Sequence, residues 1–187
     1  MLELNSELHE IYLEPGELHI AREPAIIRTA LGACIGITFW SAKLRVGALC
    51  HPRLPYWPTD LTAEKRLVTG RRYVDFSIRQ FAWQFDQLDV SRREVQVKVF
   101  GGAEVEGIWA ASKPVIGKRN SEAAIEVLET EGFKIIASSL GGNLGRQIQF
   151  HTGPARRRCA SLGKSEPRTL FPSEPNGAVF EDRINPL

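Results

Sequence analysis

Two hydrophobic periods divide this chain into strands and helices. Residues 94–100, EVQVKVF, alternate strictly, so Val95, Val97 and Val99 share one face of a strand. Val74, Ile78, Phe81, Phe85 and Leu88 instead recur at steps of four and three, one face of a helix that starts shortly after Gly70. NSEAAIEVLETEG, 120–132, predicts a second helix. Asn120 or Ser121 can cap its N-terminus, Glu122 suits the positive end of its dipole, and Gly132 can end it. AIIRTALGACIGITFW, 25–40, is rich in β-branched and aromatic residues. It reads as two strands around a tight bend that depends on Gly32 and Gly36. RVGALCH, 45–51, is a further strand after a turn near Ser41 to Lys43, and FKIIAS and RQIQFH are strands separated by the glycine-rich turn SLGGNLG.

Breakers set the remaining boundaries. PRLPYWPTDLT, 52–62, carries three prolines, which forbid regular ladder pairing, and reads as a loop. Residues 1–24 are mixed, with turn signals at Pro15-Gly16 and Pro24. Beyond residue 160 the periodicity stops. The expectation is one domain over 1–160 and a proline-rich C-terminal tail over 161–187, extended or disordered. Strands come in runs with two helices among them and no strict βαβ alternation, so the fold class is α+β with mixed sheets.

Composition narrows the functional classes. A chain of 187 residues with 43% hydrophobic and 25% charged residues suits a soluble globular protein with a real core. No apolar run approaches the roughly 20 residues of a membrane span. The first residues have neither a basic nor an apolar stretch of the secretory kind, so a cytoplasmic setting is expected, without membrane insertion. Three cysteines make a poor disulfide framework. The net charge of +2 and the short run Arg156 to Arg158 do not call for nucleic acid.

Candidate chemistry gathers between Arg28 and Pro55. Cys34 lies between Gly32 and Gly36, where a substrate backbone can approach and backbone N–H groups can hold an oxyanion. The bland reading is a small buried hydrophobe. Cys50 adjoins His51, but strand alternation sides it with Val46 and Ala48 and turns it away from the histidine. His51 ends a strand before a proline-rich loop, a sound position for a base. His151 also ends a strand and is the alternative. No C-x-x-C or H-x-x-x-H spacing supports a metal or redox site, no G-K-[ST] follows the glycine motifs, and there is no G-x-S-x-G elbow, so neither metal nor cofactor is expected.

In order along the chain, TALGACIGI, VGALCHPRLP, RRYVDFSI, KVFGGAEV, IGKRN and GGNLGR resemble the elements of the CheD family of chemoreceptor glutamine deamidases, over about residues 15–153. The resemblance implies a cysteine hydrolase with two sheets packed as a sandwich and two main helices. It places Cys34 at the family's nucleophile, His51 at its general base and Thr29 at the threonine that orients the histidine. Gly32, Ala33, Gly101, Gly102 and Asn143 fall at oxyanion or substrate-binding positions. Ala33 stands where the family has a serine. The implied reaction is hydrolysis of a receptor glutamine through a thioester, with glutamyl methyl ester hydrolysis as a side reaction. The implied partners are the cytoplasmic helices of a chemoreceptor and a CheC-type phosphatase. The competing reading is a signalling module that docks on these partners with little or no catalysis.

Overall fold

The protein is described from a computed structural model, which covers residues 8–59, 62, 65, 69–104, 116–153 and the backbone of 180–185. Strands β1 (His9–Tyr12), β2 (Leu18–Ala21), β3 (Ala25–Leu31), β4 (Ile35–Ser41) and β5 (Val46–Cys50) come first. A single 3-10 turn at Gly70–Arg72 leads into helix α1 (Val74–Gln87). Then follow β6 (Val95–Gly101), helix α2 (Ile116–Thr130), β7 (Lys134–Leu140), β8 (Gly145–His151) and β9 (Phe180–Asn185). The larger sheet has the order β2-β5-β4-β6-β7 and the smaller one β1-β3-β8-β9. Both are mixed: β6–β7 and β1–β3 are parallel, the other pairs antiparallel.

The layers follow from side-chain alternation. Ile35, Ile37, Phe39, Ala48, Cys50, Val95, Val97 and Val99 pack against Val74, Ile78, Phe81 and Phe85 of α1 and Ala123, Ala124, Val127 and Leu128 of α2. On the opposite face, Trp40, Leu49 and Phe100 meet Ile27, Leu31, Ile148 and Phe150 of the smaller sheet. The result is helices, sheet and sheet in three layers, the α+β sandwich expected. The two sheets approach closely: a Cβ on Gly47 would lie 2.5 Å from Thr152 Cγ2.

Several expectations change. Helix α2 begins at Ile116, so neither Asn120 nor Ser121 caps it. Ser121 donates back to the Gly117 carbonyl at 2.9 Å, one turn earlier within the helix. Helix α1 ends at Gln87, and Leu88, read as the last residue of its buried face, is 38% exposed. The left-handed Asp89 (φ 52) turns the chain there, and Val90 enters the core instead. Strands β1 and β2 occupy a segment to which the sequence assigned no element. Four-residue edge strands take their ladder from a neighbour and carry too few side chains to show a period. Similarly, Phe180–Asn185 of the C-terminal segment pair antiparallel with β8. Residues 154–179, with Arg156 to Arg158 and Cys159, lie outside the described residues.

Candidate active site

The bend between β3 and β4 carries the chain from the smaller sheet into the larger one. Three successive carbonyls of that bend are tied down. Gly32 O accepts from Ala103 N–H at 2.9 Å, and Cys34 O accepts from Gly102 N–H at 2.9 Å. Ala33 O accepts from Asn120 Nδ2 at 2.9 Å. In a trans peptide the carbonyl and the following N–H point in opposite directions. Fixing these carbonyls therefore fixes the N–H groups of Ala33, Cys34 and Ile35. Ile35 N–H donates to Pro52 O at 3.0 Å, whereas those of Ala33 and Cys34 find no backbone acceptor among the described residues. A pair of adjacent, oriented donors beside a thiol is the arrangement an oxyanion hole requires.

The carbonyl contacts need glycine at 101 and 102. Gly101 has φ 105, and a Cβ there would lie 2.1 Å from Cys34 O. Gly102 has φ 66, and its Cβ would meet Ser121 Oγ at 2.0 Å. Both expected site glycines thus lie directly behind the bend. Asn143 does not touch it by any described contact; it is exposed in the β7–β8 turn. That turn is linked to the same region through Gly141 N–H to Gly101 O at 2.9 Å and Glu104 N–H to Gly142 O at 2.7 Å.

His51 follows β5. Strands β4 and β5 pair with Ile37 opposite Cys50, and continuing that register sets His51 opposite Gly36, two residues from Cys34. Its ring points into the space between the sheets, where Nδ1 lies 2.7 Å from Thr29 Oγ1 on β3. The Thr29 hydroxyl donates its own proton to Leu13 O at 2.8 Å. It must therefore accept from Nδ1–H, which leaves the neutral ring with a free lone pair on Nε2. That Nε2 is buried and has no hydrogen-bond partner among the described residues. A turn at Glu14–Glu17 holds the histidine backbone: His51 N–H donates to Glu17 O at 2.9 Å, and Gly16 N–H donates to His51 O at 2.7 Å.

Burial sets the protonation of both groups. It lowers the His51 pKa, against the pull of the Leu13 carbonyl and the Glu17 carboxylate. It raises the Cys34 pKa, against the pull of the exposed Arg53 guanidinium. Thiol and imidazole are both held toward their neutral forms.

The other candidates separate. Cys34 packs on the inter-sheet cluster, the layer into which His51 points. Cys50 is fully buried in the cluster between the larger sheet and the helices, and burial drives its pKa far up. His151 alternates with Phe150, which faces the inter-sheet layer, so its ring lies on the outer face of the smaller sheet, within 2.8 Å of Gln149 Nε2. Two residues were not singled out from sequence as parts of this site. Asn120 reaches both Ala33 O and, at 3.1 Å, Arg53 O. Arg146 on β8 donates to Gly101 O at 3.4 Å, to Gly141 O at 2.8 Å and to Ser139 Oγ at 3.2 Å, lacing the sheets together behind the bend. Both fall in the IGKRN and GGNLGR segments, which were the available signal.

Comparison with known proteins identifies the family. Residues 56–160 match the sequence model of the CheD family, described as chemotactic sensory transduction. A protein of Geobacter sulfurreducens named "Probable chemoreceptor glutamine deamidase CheD 2" is 36% identical, over 86% of this chain and 94% of that protein. Proteins named "Probable chemoreceptor glutamine deamidase CheD" from Maridesulfovibrio salexigens and Archaeoglobus fulgidus are 33% and 31% identical, each over 79% of this chain and over 88% and 90% of their own lengths. With a family match over more than half its length and relatives aligned almost end to end, the chain belongs to the CheD family.

Proposed function

We propose that this protein hydrolyses the side-chain amide of specific glutamines on chemoreceptors to glutamate and ammonia, with Cys34 as nucleophile and His51 as general base and acid. The relatives' names supply the substrate class. The observation that carries the mechanism is the chain from Leu13 O through Thr29 Oγ1 to His51 Nδ1, because it leaves Nε2 as the acceptor.

The steps follow from that tautomer. Nε2 takes the thiol proton while Sγ bonds to the amide carbon, and the carbonyl electrons move onto oxygen. The N–H groups of Ala33 and Cys34 receive this oxyanion. The C–N bond then breaks, and the imidazolium gives its proton to the departing ammonia. Water, deprotonated by Nε2, attacks the thioester. The C–S bond breaks, the thiolate recovers the proton, and glutamate leaves. The substrate residues are the cytoplasmic helices of a receptor, the setting is cytoplasmic, and a CheC-type phosphatase is a second partner.

The test is conversion of glutamine to glutamate on a purified receptor cytoplasmic fragment, read by peptide mass spectrometry. Cys34→Ala and His51→Ala should each abolish it. Conversion by Cys34→Ala at the wild-type rate would sink the proposal.

A further inference from the structure

We propose that Asn120 is a positioning residue that sets the direction of the Cys34 N–H, and with it half of the oxyanion hole. This rests on the thioester reading above. Asn120 lies in helix α2, yet its side chain spends both amide protons outside the helix. One goes to Ala33 O, the carbonyl of the peptide that carries the Cys34 N–H, at 2.9 Å. The other goes to Arg53 O, two residues beyond His51, at 3.1 Å. A single carboxamide therefore joins the loop of the nucleophile to the loop of the base.

The group is 0% exposed, so water cannot replace it. Its Oδ1 is buried with no partner among the described residues. A buried acceptor left unpaired is costly, and the site retains it in return for two donors at one point. The helix is brought close enough by Gly117, where a Cβ would lie 2.6 Å from Gly102 O. Gly32 O and Cys34 O are held by backbone donors, but among the described residues Ala33 O has only this side chain. Without it the Ala33–Cys34 peptide is free to rotate, and the Cys34 N–H loses its aim.

A residue that aims an oxyanion donor affects amide hydrolysis but not reactions that form no oxyanion. Alkylation of Cys34 by iodoacetamide is a displacement at a saturated carbon and forms none. Asn120→Ala removes the group, and Asn120→Asp keeps its shape while replacing both donors by acceptors. In the full chain, either variant should lower kcat for receptor deamidation by on the order of 100-fold, with KM nearly unchanged. For the uncharged Asn120→Ala the alkylation rate should stay within about twofold of wild type, since no charge is added beside the thiol. Asn120→Asp adds a buried carboxylate that itself raises the thiol pKa, so that variant is read by kcat alone. Wild-type kcat in a folded variant overturns the proposal. So does a parallel fall of alkylation and deamidation in Asn120→Ala, or failure of both variants to fold, since each assigns Asn120 to structure alone. Cys34→Ala, run alongside, separates the two ideas: activity surviving in that variant refutes the nucleophile, whatever Asn120 does.

Discussion

Replacing Thr29 by valine tests the orientation of the base. The substitution nearly preserves shape, but removes a hydroxyl that accepts from His51 Nδ1 at 2.7 Å and donates to Leu13 O at 2.8 Å. Two costs follow. The ground-state cost is a buried N–H and carbonyl left without their partner, about 1–3 kcal/mol of stability. For a domain of this size that lowers Tm by roughly 2–12 °C. The second cost is catalytic. Imidazolium forms as the thiol attacks, and a hydrogen bond to a charged group is worth about 1.5–3 kcal/mol. The neutral ring loses a bond of about 0.5–1.5 kcal/mol as well, so only the difference, about 1–1.5 kcal/mol, falls on kcat and lowers it roughly 5- to 13-fold. The bond also favours imidazolium over the neutral ring, so removing it lowers the His51 pKa further. The acid limb of kcat/KM then moves to lower pH, opposite to what an indirect gain of solvent at the site would do. Thr29→Ser keeps the relay and should remain within about threefold of wild type. Receptor deamidation followed by mass spectrometry across pH gives both quantities. A Thr29→Val variant with wild-type kcat and an unmoved acid limb refutes the reasoning.

Glu17→Gln should act in the same direction on pH alone. Its carboxylate raises the His51 pKa, so the variant's acid limb should lie lower than the wild type's at low salt, and the difference should shrink at high salt. An unchanged limb at low salt would remove Glu17 from the account. Thiol labelling distinguishes the cysteines: in native protein, iodoacetamide should modify Cys34 and spare Cys50, which should react only on unfolding. Equal native labelling of the two would contradict the assignment of Cys50 to the core.

Much of this was legible in local order. Alternation over 94–100 and the four-three spacing from Val74 to Phe85 set β6 and α1, because a side chain's period decides which face is buried. The same rule separated Cys50 from His51 within one strand: they point into different layers. Three prolines marked the loop after His51. Short edge strands escaped, since β1 and β2 carry no period of their own and β9 depends on its partner β8.

The site belongs mainly to the tertiary structure. Sequence determined that Cys34 sits in a glycine-bounded bend and that His51 closes the second strand after it. It did not determine that the bend changes sheets, which is what puts Thr29 on one sheet and His51 on the other with a hydrogen bond between them. Nor did it reveal that a helical Asn120, 87 residues beyond Ala33, would fix the peptide before the nucleophile. The reason is physical. Periodicity encodes inside against outside for each element separately, whereas a hydrogen bond across layers depends on sheet register and on close backbone approach at Gly47, Gly102 and Gly117, and those exist only after the layers have packed.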